Sequence, residues 1–299
     1  MLVDFKEQVK LDESERGEKV NLKDIARKMA AIYKKNKKVQ AVLLAGSVSR
    51  GWEDKHSDIE LNIFWSESPT DEDRMFPIHA IDGTIIEFHP YEEEEWAESY
   101  LTPQNIKLEI SSFLTTTANT WIKEVVIDHE VDYGKQCMAS SVFYGVSLYG
   151  DRVITELKKE VEVYPDQLAQ NMIEENLALW SRWNNRYALL DRNEWIMLYD
   201  LMVGVQKKLL GTLFGLNKLY IHHPSFKWMH KYSEIFKIKP DHLDERLSRI
   251  LIKNVHESIK ELELLIQEVF NLVEKHYPDL PFLEAYKEKL SFVRPENKG

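Results

Sequence analysis

The stretch LLAGSVSRGWEDKHSDIELNIFW, residues 43–65, decides the reading of the chain. A short apolar run, Val39 to Ala45, suits a buried strand and ends at Gly46-Ser47. A polar loop follows, and then a second strand from Ile59 to Trp65. Side chains alternate along a strand, so Ile59, Leu61, Ile63 and Trp65 form an apolar face while Asp58, Glu60 and Asn62 point the other way. By the usual rise Asp58 and Glu60 stand about 7 Å apart, near enough for their oxygens to converge. Two carboxylates that close repel unless a cation lies between them. Mg²⁺ takes oxygen ligands and bridges carboxylates to phosphates. A pair of such ions activates a hydroxyl and orients a triphosphate for in-line displacement.

Gly46 lets a ligand approach the backbone, and Ser47 offers a hydroxyl and an N–H. A helix beginning near Ser49 aims further N–H groups at the same spot. Arg50 adds a planar cationic fork suited to phosphate. A Gly-Ser turn alone is weak, and Asp-x-Glu on a strand is often a solvated face. The combination is specific: apolar strand, Gly-Ser, a ten-residue loop, then Ser-Asp-Ile-Glu-Leu on a second strand.

This combination resembles the signature of the nucleotidyltransferase superfamily of the DNA polymerase beta type, a glycine-serine turn followed at 7–13 residues by Asp-x-Asp/Glu. The stretch is also similar to the kanamycin nucleotidyltransferase group of antibiotic-modifying enzymes, through Gly46, Ser47, Arg50, Ser57, Asp58 and Glu60. The resemblance covers residues 40–95 and is thin elsewhere. It implies a Mg²⁺-dependent transfer of a nucleoside monophosphate, with AMP from ATP the expected donor, to a hydroxyl of a small acceptor. Asp58 and Glu60 would ligate the metal, and Gly46, Ser47, Arg50 and Ser57 would hold the nucleotide. The superfamily often adds a third carboxylate on a later strand, and Glu87 in GTIIEFHPY is the expected one. The kanamycin-type base maps to Ala178, which takes no proton, with Arg182 as the matching basic residue. Either Glu175, Glu174 or Glu87 then serves as the base, or the acceptor differs. The resemblance also implies a homodimer. Rival readings are a protein or RNA acceptor on the same fold, and a nucleotide-binding module without chemistry.

The rest of the chain sets the frame. Asn21 to Lys37 reads as a helix capped by Asn21. Asp82-Gly83 between Ile78–Ile81 and Thr84–His89 is a hairpin signal. Glu92–Glu95 reads as a helix start, residues 103–123 as helix, and Val142–Leu148 as a strand ending at Tyr149-Gly150-Asp151. Beyond residue 155 strand signals nearly vanish. Asp166–Leu190, Asn193–Phe214 and Leu243–His276 carry helical periodicity, and Ile259, Leu262, Leu265, Ile266, Val269 and Leu272 form a core stripe. The expected fold is α+β: a nucleotidyltransferase domain with a small mixed sheet flanked by helices over 1–155, then an all-helical bundle over 156–299. Between the second and third long helices, Lys227-Trp228 joins a cation to a stacking surface suited to a nucleotide. His222 and His223, adjacent, are poorly spaced for a metal.

The chain has 299 residues and a formal charge of −11, a poor match for a long nucleic acid whose binding rests on Lys and Arg. A cationic small acceptor suits that charge. One cysteine, Cys137, excludes an internal disulfide and a cysteine-based zinc site. The first twenty residues are polar and read as a poorly ordered lead-in, too charged for a signal peptide. With no apolar run long enough to span a membrane, the expected location is cytoplasmic.

Overall fold

The computed structural model describes residues 21–179 and 181–295; the expected lead-in over residues 1–20 lies outside them. Helix α1 (Leu22–Tyr33) begins where the Asn21 side chain accepts a hydrogen bond from the Lys23 N–H at 3.0 Å. Strand β1 (Val39–Leu44) runs into a single helical turn, α2 (Gly46–Arg50), and strand β2 (Ile59–Trp65) comes next. After α3 (Asp71–His79) come β3 (Thr84–Phe88), β4 (Trp96–Leu101) and β5 (Lys107–Leu114). Helices α4 (Thr115–Val126) and α5 (Tyr133–Tyr144), strand β6 (Val146–Tyr149) and α6 (Asp151–Val161) complete the α+β half. The strands form one mixed sheet in the order β3-β4-β5-β2-β1-β6. Only β2 and β5 pair in parallel; the other neighbours are antiparallel.

The helical half holds α7 (Asp166–Leu177), α8 (Arg186–Asp191), α9 (Trp195–Leu216), α10 (Met229–Ile235), α11 (Leu243–Ile252), α12 (Val255–His276) and α13 (Leu283–Ser291). Two of the long helices expected from periodicity are broken. After α7 a 3-10 turn, Ser181–Asn185, precedes α8. Between α11 and α12 the chain turns at Lys253-Asn254, where Asn254 caps α12 by accepting from the His256 N–H at 3.0 Å.

The sheet divides two cores. Val42, Leu44, Ile59, Leu61, Ile63 and Trp65 pack against Ala26, Met29 and Tyr33 of α1. The opposite face carries Ala41, Leu43, Phe64 and Phe113, which join α4–α6 and the helical half in one continuous core. The division expected at residues 155/156 falls inside α6, whose Ile154, Leu157 and Val161 are buried in that shared core. The expected stripe on α12 is buried at Ile259, Leu262, Leu265, Ile266 and Val269. Among the described residues no helix is long and apolar enough to cross a membrane. Cys137 is partly buried, and burial pushes its thiol up to about 12.

Four local expectations are corrected. Ile78 and His79 end α3, so Asp82-Gly83 joins a helix to β3, not two strands; the Gly83 N–H returns to the Ile78 carbonyl at 2.9 Å. The hairpin lies one element later. Glu92 and Glu95 exchange backbone hydrogen bonds at 3.0 Å, with Glu93 and Glu94 in the left-handed region, and so turn β3 into β4 instead of starting a helix. Residues 107–114 form β5, and α5 extends through Tyr144 before the short β6. Strand β4 is disguised by Glu98, a charge on its buried face. That charge is met by Arg74 of α3, whose Nε and Nη2 donate to Glu98 Oε2 at 2.9 and 2.7 Å. Arg74 also donates to the carbonyls of His89 and Ala97, so one guanidinium ties α3 to both strands of the hairpin.

Both members of this pair are sealed from solvent. Removing one leaves a buried, unpaired charge, which costs about 3 kcal/mol or more. Glu98→Ala is therefore expected to lower unfolding stability by about 3 kcal/mol in urea titration. Glu98→Gln, which keeps the acceptor, is expected to lose less.

Candidate active site

Asp58 sits one residue before β2, and Glu60 is the second residue of that strand. In the parallel register of β2 with β5, Glu60 lies directly opposite Glu109. Residues in register share a face, so both carboxylates project toward the helical half. Ligand oxygens of Asp58, Glu60 and Glu109 lie within 4.8 Å of one another, and all three residues are partly buried. The Glu60 carboxyl group rests on Gly46: a Cβ built there would lie 2.4 Å from Glu60 Cδ. Gly46 also has a φ of +62°, a conformation that disfavours any other residue. The Ala45 N–H donates to the Glu60 carbonyl at 2.9 Å, fixing the turn to β2.

Burial and the two neighbouring acids push Glu60 up to about 7, against the pull of Lys227 and Arg50. Burial and Glu109 raise Asp58 as well. Three acids in one partly buried spot are electrostatically unfavourable without a counter-cation. The donor set, carboxylate oxygens alone, fits a hard divalent ion such as Mg²⁺.

Glu109, not Glu87, stands beside Asp58 and Glu60. Glu87 pairs with Ser99 of β4, and Ser99 with Glu109 of β5, so Glu87 occupies the same cross-strand row as Glu60 but lies two strands beyond Glu109. It is exposed on the edge strand, 3.7 Å from His89. The signal for Glu109 is present in KLEISSFL, where Leu108 and Ile110 alternate with Glu109 and Ser111. The expected helix over 103–123 concealed it.

The other expected site residues divide. Ser47 is buried in α2, which begins at Gly46 and not near Ser49. Ser57 turns its hydroxyl to Asp54, accepting from the Asp54 N–H at 2.9 Å and closing the loop ahead of Asp58. Arg50 does not present a free fork. Its Nη1 donates to the Tyr232 hydroxyl at 2.8 Å and its Nη2 to Ser140 at 3.0 Å, with the guanidinium 3.9 Å above the Tyr144 ring. Arg50 thus brackets α2 to α5 and α10, while its charge still acts on Glu60. Lys227 is exposed and acts on Glu60 from the helical half.

His222 props the Lys227 backbone. Its Nε2 contacts the Lys227 carbonyl, and its ring stacks on Tyr232 with centroids 4.1 Å apart. Burial drives His222 down to about 3, so the ring stays neutral and its Nε2–H donates. His223 is also lowered, by burial and Lys227, and feels Glu109. Trp228, in the left-handed region, has its ring 6.4 Å from Trp52.

Glu175 and Glu174 are exposed on α7 and are not part of the acidic cluster. Glu175 borders a separate cavity of about 430 Å³ with Tyr133, Asn176, Gly204 and Lys207. Ala178 ends α7.

A family model described as a domain of unknown function (DUF4037) matches residues 133–229. That span runs from the start of α5 to the start of α10 and includes Ser140, Tyr144, His222 and Lys227. No curated protein matches the sequence. Among solved structures, an aminoglycoside 6-adenyltransferase from Bacillus subtilis is similar at 10% identity. The match covers 93% of this chain and 94% of that one, with a TM-score of 0.30. At that score the site must be read from its own geometry.

This geometry has two measurable outcomes. Glu60 has a folded-state pKa near 7, raised above its ordinary 4.5, so the folded chain holds a proton the unfolded chain releases. The stability that Glu60 contributes to the metal-free protein is then fully present below about 4.5 and is lost as pH rises through 7. Asp58, raised by burial and Glu109, works in the same direction. Thermal melts from pH 5 to 8 in chelator are expected to show this fall, with Glu60→Gln flattening it. Gly46→Ala is expected to displace the Glu60 carboxyl group and lower stability by about 1–3 kcal/mol, read by urea titration.

Proposed function

We propose that the chain is a Mg²⁺-dependent nucleotidyltransferase that moves a nucleoside monophosphate, AMP from ATP, onto a hydroxyl of a small acceptor. One observation carries the reading: three carboxylates, at the start of β2 and on β5, converge beside a Gly-Ser turn, with Lys227 acting on Glu60 from the helical half.

Asp58, Glu60 and Glu109 would hold the metal, which supplies charge neutralisation and an oriented triphosphate when bound. Gly46 keeps the backbone clear for the Glu60 carboxyl group. The buried turn of α2 offers backbone N–H groups beside the triad. Lys227 would offer positive charge to the phosphates, and the Trp52–Trp228 pair would offer aromatic surface to the base or sugar. The acceptor oxygen attacks the α-phosphorus, the bond to the β-phosphate oxygen breaks, and pyrophosphate leaves. The hydroxyl proton passes to a carboxylate of the triad. The chain's own contribution is alignment and fixed charge. Neither exposed Glu175 nor Ala178 is needed as a base in this scheme.

The acceptor would be a small polyol, with an aminoglycoside-type antibiotic as one case. The test is pyrophosphate release from each NTP with Mg²⁺ across a panel of aminoglycosides, lincosamides and other polyols. Asp58→Asn is expected to reduce release by about 10²-fold or more. Label transferred to polypeptide or RNA instead would shift the acceptor class. Nucleotide binding with no release from any NTP would identify a binding module.

A further inference from the structure

Lys107 is the first residue of β5, immediately before the Leu108–Ile59 pair. Its Nζ donates to Glu109 Oε1 and lies 3.8 Å from Asp58 Oδ2. An ammonium group therefore bridges two of the three clustered acids, at the spot where their repulsion calls for a cation. Lys227 and Arg50 differ from it, acting on Glu60 through space. The Lys107 side chain is 39% exposed. Its four-carbon stem ends in a rotatable point charge, so the head can leave without disturbing the strand.

A divalent ion and an ammonium cannot share the same carboxylate oxygens at close range, because like charges a few ångströms apart repel strongly in a partly buried site. We propose that Lys107 is a positioning residue with two stations, a role that rests on the metal-dependent reading of the site. In the metal-free chain it balances Asp58 and Glu109. When a divalent ion takes those oxygens, the ammonium is released and turns to the phosphate chain of the nucleotide. The strand thus carries its own stand-in cation and uses it again for the substrate. A merely structural ion pair would stay in place.

Mn²⁺ binding, read from the electron paramagnetic resonance of the free ion, tests this without any turnover. Lys107→Gln is expected to bind Mn²⁺ alone about fivefold more tightly, the worth of one partly exposed ion pair. A non-hydrolysable ATP analogue is expected to tighten Mn²⁺ binding in the native chain, and that tightening to shrink about tenfold in the variant, the worth of one lost charged hydrogen bond. Lys107→Arg, which keeps the charge, is expected to stay near the native value for Mn²⁺ alone. Lys227→Gln removes a charge of the same sign that acts only through space. If both lysine variants tighten Mn²⁺ equally, the effect is a general field and the two-station role is overturned. Native Mn²⁺ binding that needs Asp58 but is unchanged by Lys107→Gln overturns the Lys107 role alone. Mn²⁺ binding that ignores Asp58→Asn overturns the metal site itself and the Lys107 role with it.

Discussion

The parallel pairing of β2 with β5 is the constraint on which the rest depends. It is the single parallel contact in an otherwise antiparallel sheet. It places Glu60 opposite Glu109, and a one-residue slip would send one of them to the α1 face. Apolar residues hold the register: Ile59, Leu61 and Ile63 sit beside Leu108 and Ile110 on the α1 side, and Phe64 beside Phe113 on the other. The fold's own core therefore pins the acids together, and the Lys107 ammonium offsets part of their repulsion.

The helical half is tied to that cluster through a small number of polar and aromatic contacts. Arg50 reaches Ser140 on α5 and Tyr232 on α10. Tyr232 stacks on His222, and His222 meets the carbonyl of Lys227, the residue whose charge reaches Glu60. A chain of contacts thus leaves the triad's own turn, passes through the helical core and returns to the triad. The DUF4037 match at residues 133–229 spans most of this loop of contacts, and excludes β1 to β5.

Legibility tracks sequence distance. Gly46, Asp58 and Glu60 are readable because their relation is local: a turn, a loop and strand alternation within fifteen residues. Glu109 is not, because its place depends on which strand lies next to β2. Glu87 satisfies the same local test and lies in the same row, two strands too far. Strand β4 is hidden by Glu98, whose partner Arg74 is 24 residues away in sequence. The bundle helices are readable from periodicity, while their breaks at Leu177 and Lys253 depend on local capping and packing. Arg50 shows the limit most plainly: the residue type suits phosphate, but a tyrosine 182 positions later holds one arm of its fork.

The contact between Gly46 and Glu60 also constrains how the chain can change over generations. With the Glu60 carboxyl group against the Gly46 Cα, any side chain at 46 displaces the acid. Shortening Glu60 to aspartate would clear that space, but it would also withdraw the carboxylate by one methylene from Asp58 and Glu109. A change at either position therefore moves the carboxylate away from its partners, and a descendant that has lost glycine at 46 is expected to hold the glutamate in a different place.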